Sequence, residues 1–178
     1  WQHLRVDAHR IAFAKPAMGI TLNGIAQGYA SDRVRETLQN HGIAHALINT
    51  GEWSSLGHAE GGRDWVLGVA DPHQAERVMA RLRMKGMCIA TSADDQCTFS
   101  VDRKHHHILN PETGYSPADI SSVTVAASSC TQADALTKVL FMGGYARALD
   151  IAHAWQVDVL VVHKNGQFKT TPNLSQTS

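Results

Sequence analysis

The sequence predicts an α+β fold, a mixed or antiparallel sheet packed with about three helices. Three observations carry this. Strand-length apolar segments outnumber helical ones, the two kinds do not strictly alternate along the chain, and helical spacing of apolar residues recurs in three stretches.

Taken in order, residues 4–14 alternate enough for a strand pair turning near Ala8-His9, and Pro16 breaks it. From Asn23 the spacing changes. Ile25, Ala26, Tyr29, Ala30, Val34 and Leu38 fall at helical intervals, with Asp32, Arg33, Arg35 and Glu36 mostly opposite. Asn23 is the expected N-cap, and Gly42 after His41 the stop. Gly24 and Gly28 fall in the first turns. Glycine costs about 1 kcal/mol relative to alanine inside a helix. Their presence points to close packing or to a backbone that something must approach.

Residues 44–49 read as a buried strand and 50–64 as a loop rich in glycine and serine. Residues 65–70 form a strand ended by Asp71-Pro72, and 78–84 alternate as a strand with one exposed face. A further apolar strand covers 87–91, and 97–101 with 105–109 look like a hairpin across Asp102-Arg103-Lys104. Residues 121–127 are a strand of small and β-branched side chains. A second helix covers about 132–142, with Thr131 and Asp134 resembling a capping box and Gly143-Gly144 ending it. A third covers 146–155, and 157–163 with 167–170 make a hairpin over Asn165-Gly166. The tail from Pro172 is polar and expected to fray.

The length of 178 residues suits one domain with a sizeable core, and no repeat or low-complexity linker divides it. Lysine plus arginine number 16 and aspartate plus glutamate 16, with no basic stripe, so nucleic acid is not an expected partner. No apolar run approaches the roughly 20 residues that span a bilayer. No signal-peptide pattern opens the chain, and Trp1-Gln2-His3-Leu4 reads as the interior of something longer. Cys88, Cys97 and Cys130 make an odd count without a CxxC, which supports neither a disulfide framework nor a zinc ribbon; buried thiols are the expectation.

Several segments can carry chemistry. Residues 21–32, Thr-Leu-Asn-Gly-Ile-Ala-Gln-Gly-Tyr-Ala-Ser-Asp, place glycines at a helix start, where bare N–H groups suit a phosphate or a flavin edge. Tight packing explains them equally well. Asn49-Thr50-Gly51-Glu52 follows a strand, so Glu52 is either functional or a solvated loop acid. Thr91 and Ser92 end a strand and can hydrogen-bond phosphate or ribose, or serve a turn. Asp134, in the first turn of a helix, either answers the helix dipole or ligates a hard cation such as Mg²⁺. The run Lys104-His-His-His-Ile-Leu-Asn-Pro-Glu-Thr-Gly114 joins histidines to a tight turn. Strand alternation puts His105 and His107 on one face and His106 on the other, so the three do not converge on one ion.

In this order, the segments resemble the ApbE family of FAD:protein FMN transferases, over residues 21 to about 143. The family's helix-start motif, approximately Asp-Leu-Gly-Gly-Ile-Ala-Lys-Gly-Tyr-Ala, is matched at 21–30, and its Asn-Leu-Gly-Gly-Asp turn at 49–53. Its Ala-Thr-Ser-Gly-Asp segment falls on 90–94, its His-Ile-Ile-Asp-Pro-x-Thr-Gly on 107–114, and its Ala-Asp-Ala-Leu-Ala-Thr helix on 133–138. The resemblance implies a magnesium-dependent bacterial enzyme. Such enzymes split FAD at its pyrophosphate and attach FMN, through its phosphate, to a threonine of an acceptor protein, releasing AMP. Acceptors are typically subunits of membrane redox complexes. Members commonly work in the periplasm, often as lipoproteins, and some hydrolyse FAD instead.

By residue, the resemblance implies His107 as the base, since the reference pKa of imidazole is about 6.5. It implies flavin and phosphate contacts at Asn23, Gly24, Gln27, Gly28, Gly51, Glu52, Thr91, Ser92 and Thr113. The metal set maps to the Ala26 carbonyl, Asp134 and position 138, with Asp134 also placed in the catalytic centre. Departures are Thr21, Asn23, Gln27, Glu52, Trp53, Ala93 and Asn110, several of which resemble a NosX-like subset with Leu-Asn-Gly-Ile-Ala-Gln-Gly and Gly-Glu. Lys138 stands where the family has a metal-binding threonine, and an ammonium does not ligate Mg²⁺. Either the segment shifts so that Thr137 serves, or the Lys138 charge partly replaces the metal. The family's upstream Met-Gly-Thr signature has no counterpart, because Met18-Gly19-Ile20 lies too close to the helix. The expectation is the C-terminal portion of a longer family domain. Two other functions stay open: a flavin-binding or maturation-accessory module without transfer, and a general α+β interaction domain.

Overall fold

The segment Ile-Ser-Ser-Val-Thr-Val-Ala-Ala at Ile120–Ala127 is buried at every position, which only a strand covered on both faces can achieve. In the computed structural model, which describes residues 2–174, the molecule is built around it. In chain order the described residues form β1 (Leu4–Val6), β2 (Ile11–Phe13), α1 (Ala26–Asn40), β3 (Ala46–Asn49), β4 (Trp53–Leu56), β5 (Trp65–Asp71) and β6 (Gln74–Met84). β7 (Cys88–Ala93), β8 (Ile120–Ala127), α2 (Cys130–Gly143), α3 (Ala148–Trp155), β9 (Asp158–His163) and β10 (Phe168–Thr170) follow. Six of the strands make one sheet in the order β10-β9-β8-β7-β4-β3, and each neighbouring pair is antiparallel.

The sheet divides two cores. On one face Val123, Val125, Val159 and Val161 meet Ala133, Leu136, Leu140 and Phe141 of α2 and Ala148 and Ala152 of α3. On the other face Ile89, Ala126, Leu160 and Val162 meet Leu67, Val69, Ala80, Leu82 and Met84 of the β5–β6 ribbon. The period-2 alternation in β8 and β9 sends neighbouring residues to opposite cores. Fully burying such a side chain contributes about 1.5–3 kcal/mol, so both cores favour the layered arrangement.

α1 packs by a different rule. Its expected apolar stripe is largely outside, with Ile25, Tyr29 and Val34 exposed, while Gly28 and Ser31 are buried. A Cβ on Gly28 would lie 2.3 Å from the Cys130 carbonyl oxygen, so only glycine permits this approach of α1 to α2. Asp32, one turn on, accepts from the Cys130 N–H (2.8 Å) and the Thr131 N–H (2.9 Å) and hydroxyl (2.6 Å). Small and polar residues therefore make the contact.

Other expectations are corrected locally. α1 starts at Ala26 with Ile25 as its N-cap, because Asn23 and Gly24 form a preceding turn closed by the Leu22 carbonyl. The stretch predicted as loop at 50–64 contains β4, which Ser54 and Ser55 bury beside β3. The 97–109 hairpin reduces to the single bridge Thr98↔His106. There the segment instead turns back on the hydroxyl of Ser100 and the carboxylate of Asp102. The second helix is capped by Ser129, whose Oγ accepts from the Gln132 N–H at 3.2 Å, not by Thr131, whose hydroxyl is taken by Asp32. The predicted tail is described only to Leu174, which is buried; residues 175–178 lie outside the described residues.

Candidate active site

A cavity of about 1340 Å³ opens where α1, α2 and α3 meet the ends of β3 and β7. Asn23, Gly24 and Gln27 form one wall, Gly51 and Glu52 the next, and Thr91, Ser92 and Ala93 the floor. The histidine loop supplies His107, Ile108, Leu109 and Pro111. α2 supplies Lys138 and Met142, and α3 and the turn before it supply Arg147, Asp150 and Trp155.

Each wall is fixed by local chemistry. Gly51 has φ +107, a conformation that favours glycine, and a Cβ there would lie 2.6 Å from the Gln27 amide nitrogen. The Asn49 side chain accepts its N–H at 3.1 Å, closing the turn after β3. The histidine loop ends in a self-capped turn. Asn110 Oδ1 accepts from the Glu112 N–H (2.8 Å), its carbonyl from the Gly114 N–H (2.8 Å), and its own N–H reaches the Tyr115 carbonyl (2.9 Å). Thr113 Oγ1 accepts from the Tyr115 N–H at 3.2 Å, so this residue serves the turn and does not line the cavity.

His107 lies on the cavity and is exposed to it. Its Nδ1 is 3.2 Å from the Cys97 carbonyl. A carbonyl only accepts, so Nδ1 carries the hydrogen and Nε2 is the nitrogen left to take a proton. His105 is exposed, whereas His106 is fully buried against Phe141, as strand alternation predicts. Beneath the loop, buried Asp94 accepts from Lys164 Nζ at 2.5 Å and has the Arg103 guanidinium at 3.8 Å. Lys164 also donates to the Arg103 carbonyl at 2.6 Å, which ties the base of the loop to the turn between β9 and β10.

The charged centre is Asp134, Lys138 and Glu52. Asp134 is fully buried, behind the wall. One of its oxygens accepts the Gly28 N–H at 3.0 Å, and the other takes the Lys138 ammonium. Lys138 Nζ also lies 3.2 Å from the Asp134 carbonyl oxygen. Glu52 is 5% exposed. Burial first, then the Asp134 carboxylate, pushes its pKa up to about 7, while Lys138 and the Thr91 N–H pull the other way.

Of the residues chosen from sequence, the cavity wall brings together Asn23, Gly24, Gln27, Gly51, Glu52, Thr91, Ser92 and His107. Gly28, Ala26, Thr113, Asp134 and Thr137 are not on the wall. Gly28 instead seats α1 on α2. Thr137 is fully buried, its Oγ1 donating to the Asp134 carbonyl (2.7 Å) and meeting Ser92 Oγ (2.7 Å). In this structure Lys138, and not Thr137, stands on the cavity wall. A divalent cation does not fit beside Asp134 as this side chain stands, because the carboxylate is already engaged on both oxygens and an ammonium occupies the approach. Sequence reading missed Arg147, Asp150 and Trp155. Their legible signal was helical spacing on one face of the third helix and the residue before it.

The fold has known counterparts. The ApbE family model matches residues 1–161. An FAD:protein FMN transferase of Klebsiella pneumoniae is 33% identical over 156 residues, covering 85% of this chain and 48% of that protein. One of Vibrio cholerae is 30% identical over 167 residues, covering 92% and 50%. The chain thus spans about half the length of the curated relatives it matches. Among solved structures, the ApbE protein of Thermotoga maritima superposes with a TM-score of 0.85 at 31% identity, over 96% of this chain and 57% of that one. The flavin transferase ApbE of Vibrio cholerae gives 0.82 at 27% identity, over 97% and 57%.

Proposed function

We propose a function from one premise, that the chain belongs to the ApbE family. The chain carries the chemistry of an FAD:protein FMN transferase, splitting FAD at its pyrophosphate and passing FMN, through its phosphate, to a threonine hydroxyl of an acceptor protein. The observation that carries the reading is that His107, with Nδ1 committed to Cys97, shares one cavity with Lys138, held by buried Asp134. The threonine proton passes to His107 Nε2 as the threonine oxygen bonds to the FMN phosphorus. The bridging P–O bond breaks, and AMP leaves with its electron pair. The Lys138 ammonium offsets negative charge gathering on the phosphoryl oxygens, the part a divalent cation plays in many phosphoryl transfers. Magnesium, expected from the resemblance, has no step in this scheme because its place beside Asp134 is filled.

Incubating the chain with FAD and a threonine-bearing acceptor peptide in EDTA tests this. The expected result is a peptide mass gain of FMN minus water with equimolar AMP, lowered about 10²–10⁴-fold in His107→Ala. AMP with FMN and no adduct would redirect the reading to FAD hydrolysis. A second reading, a flavin-binding accessory module without transfer, is favoured by the engagement of both Asp134 oxygens. FAD binding with neither AMP nor adduct, with or without Mg²⁺, selects it.

The proposal extends to setting. The acceptor is taken to be a membrane redox-complex subunit and the location the periplasm, on the family premise alone. No helix among the described residues is long and apolar enough to cross a membrane. Fractionating cells that express the protein checks the location.

A further inference from the structure

Behind the cavity, where α1, β7 and α2 converge, a second cluster takes no part in the scheme above. One ligand atom each from Asp32, Cys88 and Cys130 lies within 4.8 Å of the others. Both cysteines are fully buried. Cys88 opens β7 opposite Ala127, the last residue of β8, and Cys130 opens α2 just beyond Ser128 and Ser129. The connection from β8 to α2 is therefore what holds the two sulfurs together.

Thiol and carboxylate at this spacing admit a metal reading, but the surroundings oppose it. Asp32 already accepts from Ser129 Oγ (2.8 Å), the Cys130 N–H, and the Thr131 N–H and hydroxyl. The Arg35 guanidinium stands 3.6 Å from Cys88 Sγ, held there by the carbonyls of Gly86 (2.9 Å) and Ser128 (3.3 Å). A cation pinned on the sulfur repels a metal ion and stabilises a thiolate.

We propose that Cys88 and Cys130 are a redox-active dithiol that closes to an intramolecular disulfide on reaction with a hydroperoxide. Cys88 is the nucleophile, facing Arg35, and Cys130 is the resolving thiol. The adjacent Cys130 thiol and the Arg35 charge lower the Cys88 pKa against burial and Asp32, while Cys130, whose thiol donates to the Trp53 carbonyl at 3.7 Å, is raised. The Cys88 thiolate attacks one peroxide oxygen, the O–O bond breaks, and Cys88 becomes a sulfenic acid as hydroxide leaves. The Cys130 thiol gives up its proton and its sulfur attacks the Cys88 sulfur, expelling the second oxygen as water. Two thiols lose two electrons and the peroxide is reduced to two waters. Hydrogen peroxide is little larger than water, which suits a buried pair. The bond would staple β7 to the first turn of α2, on the residue whose carbonyl Gly28 packs against.

The test uses the full chain carrying Cys97→Ser, which removes the exposed third thiol. After stoichiometric hydrogen peroxide, alkylation in denaturant should find no free thiol. Mass spectrometry should give a loss of 2 Da and a Cys88–Cys130 linked peptide, both reversed by dithiothreitol. With Cys130→Ser, Cys88 should stop at a sulfenic acid trapped by dimedone; with Cys88→Ser, Cys130 should yield no dimedone adduct. Recovery of both cysteines as alkylated thiols, dimedone adducts on Cys130 rather than Cys88, or sulfinic acid at either without the link overturns the proposal. So does retention of one equivalent of added Zn²⁺ that protects both thiols from alkylation, since the pair is then a metal site.

Discussion

Glu52 holds its proton to about pH 7 because it is buried and faces the Asp134 carboxylate. Its unfolded value is 4.5, so between pH 4.5 and 7 the native state binds more protons than the unfolded one. Stability on this account falls as pH rises through that window, by roughly 3 kcal/mol in all at about 1.36 kcal/mol per unit, and is flat outside it. Glu52→Gln should remove the slope. Urea midpoints from pH 5 to 8 check it, and equal slopes in wild type and variant would rule the account out. Lys138 makes a second residue-scale prediction. Replacing it with threonine leaves Asp134 buried with one oxygen unpaired. Removing one partner of a buried ion pair costs about 3–5 kcal/mol, and the lower end applies because Lys138 is one-third open to solvent. Lys138→Thr should also gain a Mg²⁺-dependent rise in melting temperature that the wild type lacks, read by thermal shift with and without EDTA. A wild-type melting point that itself rises with Mg²⁺ would mean the ammonium yields its place.

At the scale of elements, the contact of α1 with α2 decides where the site residues stand. Gly28→Ala puts a methyl 2.3 Å from the Cys130 carbonyl oxygen and 2.8 Å from Asp134 Cβ. Neither neighbour is a flexible side-chain end, so the helices must separate. Overpacking of this kind costs about 1–3 kcal/mol, and it also stretches the Gly28 N–H bond to Asp134. Chemical denaturation should show the loss, and, on the proposed function, FAD affinity should fall with it; an unchanged denaturation midpoint would mean α1 slides freely on α2. This contact marks the limit of what was legible. Period-2 strands and glycine stops gave β5, β8, the second half of β6 and the C-terminal ends of α1 and α2, because burial on a sheet or helix face writes itself as spacing. The seat of α1 did not, because it is made by Gly28, Ser31 and Asp32 while Ile25, Tyr29 and Val34 stay exposed. β4 was missed because its buried serines look like loop. Glu52 and His107 were legible as candidates from their turns, whereas the engagement of Asp134 by Lys138 needed three dimensions.

Over the whole molecule, the helices cover one face of the sheet and the β5–β6 ribbon the other, so the cavity has a rigid floor and one less regular wall, the histidine loop. Its backbone ladder is short: two bonds, from the Phe99 N–H to the His105 carbonyl (2.7 Å) and from the His107 N–H to the Cys97 carbonyl (3.0 Å), flank the isolated bridge Thr98↔His106. Buried charge ties it to the rest of the molecule. Asp94 directly follows the floor strand β7, Arg103 belongs to the loop, and Lys164 lies in the turn between β9 and β10, so one carboxylate links three distant parts of the chain. Asp94→Asn strips the charge that Lys164, only 18% exposed, depends on. A loss of about 3–5 kcal/mol is expected, as for any buried pair broken on one side. Lys164→Met alone leaves buried Asp94 facing the Arg103 guanidinium at 3.8 Å and should also destabilise, by less than Asp94→Asn. If the two charges act mainly on each other, the double variant loses less than the sum, with a coupling of about 0.5–3 kcal/mol. Amide exchange should then quicken across the histidine loop more than in β8, because the tie is local to that wall. Additive losses, or exchange that rises equally in both segments, would show that Asp94 supports the sheet as a whole and leaves the position of His107 to the Asn110 turn.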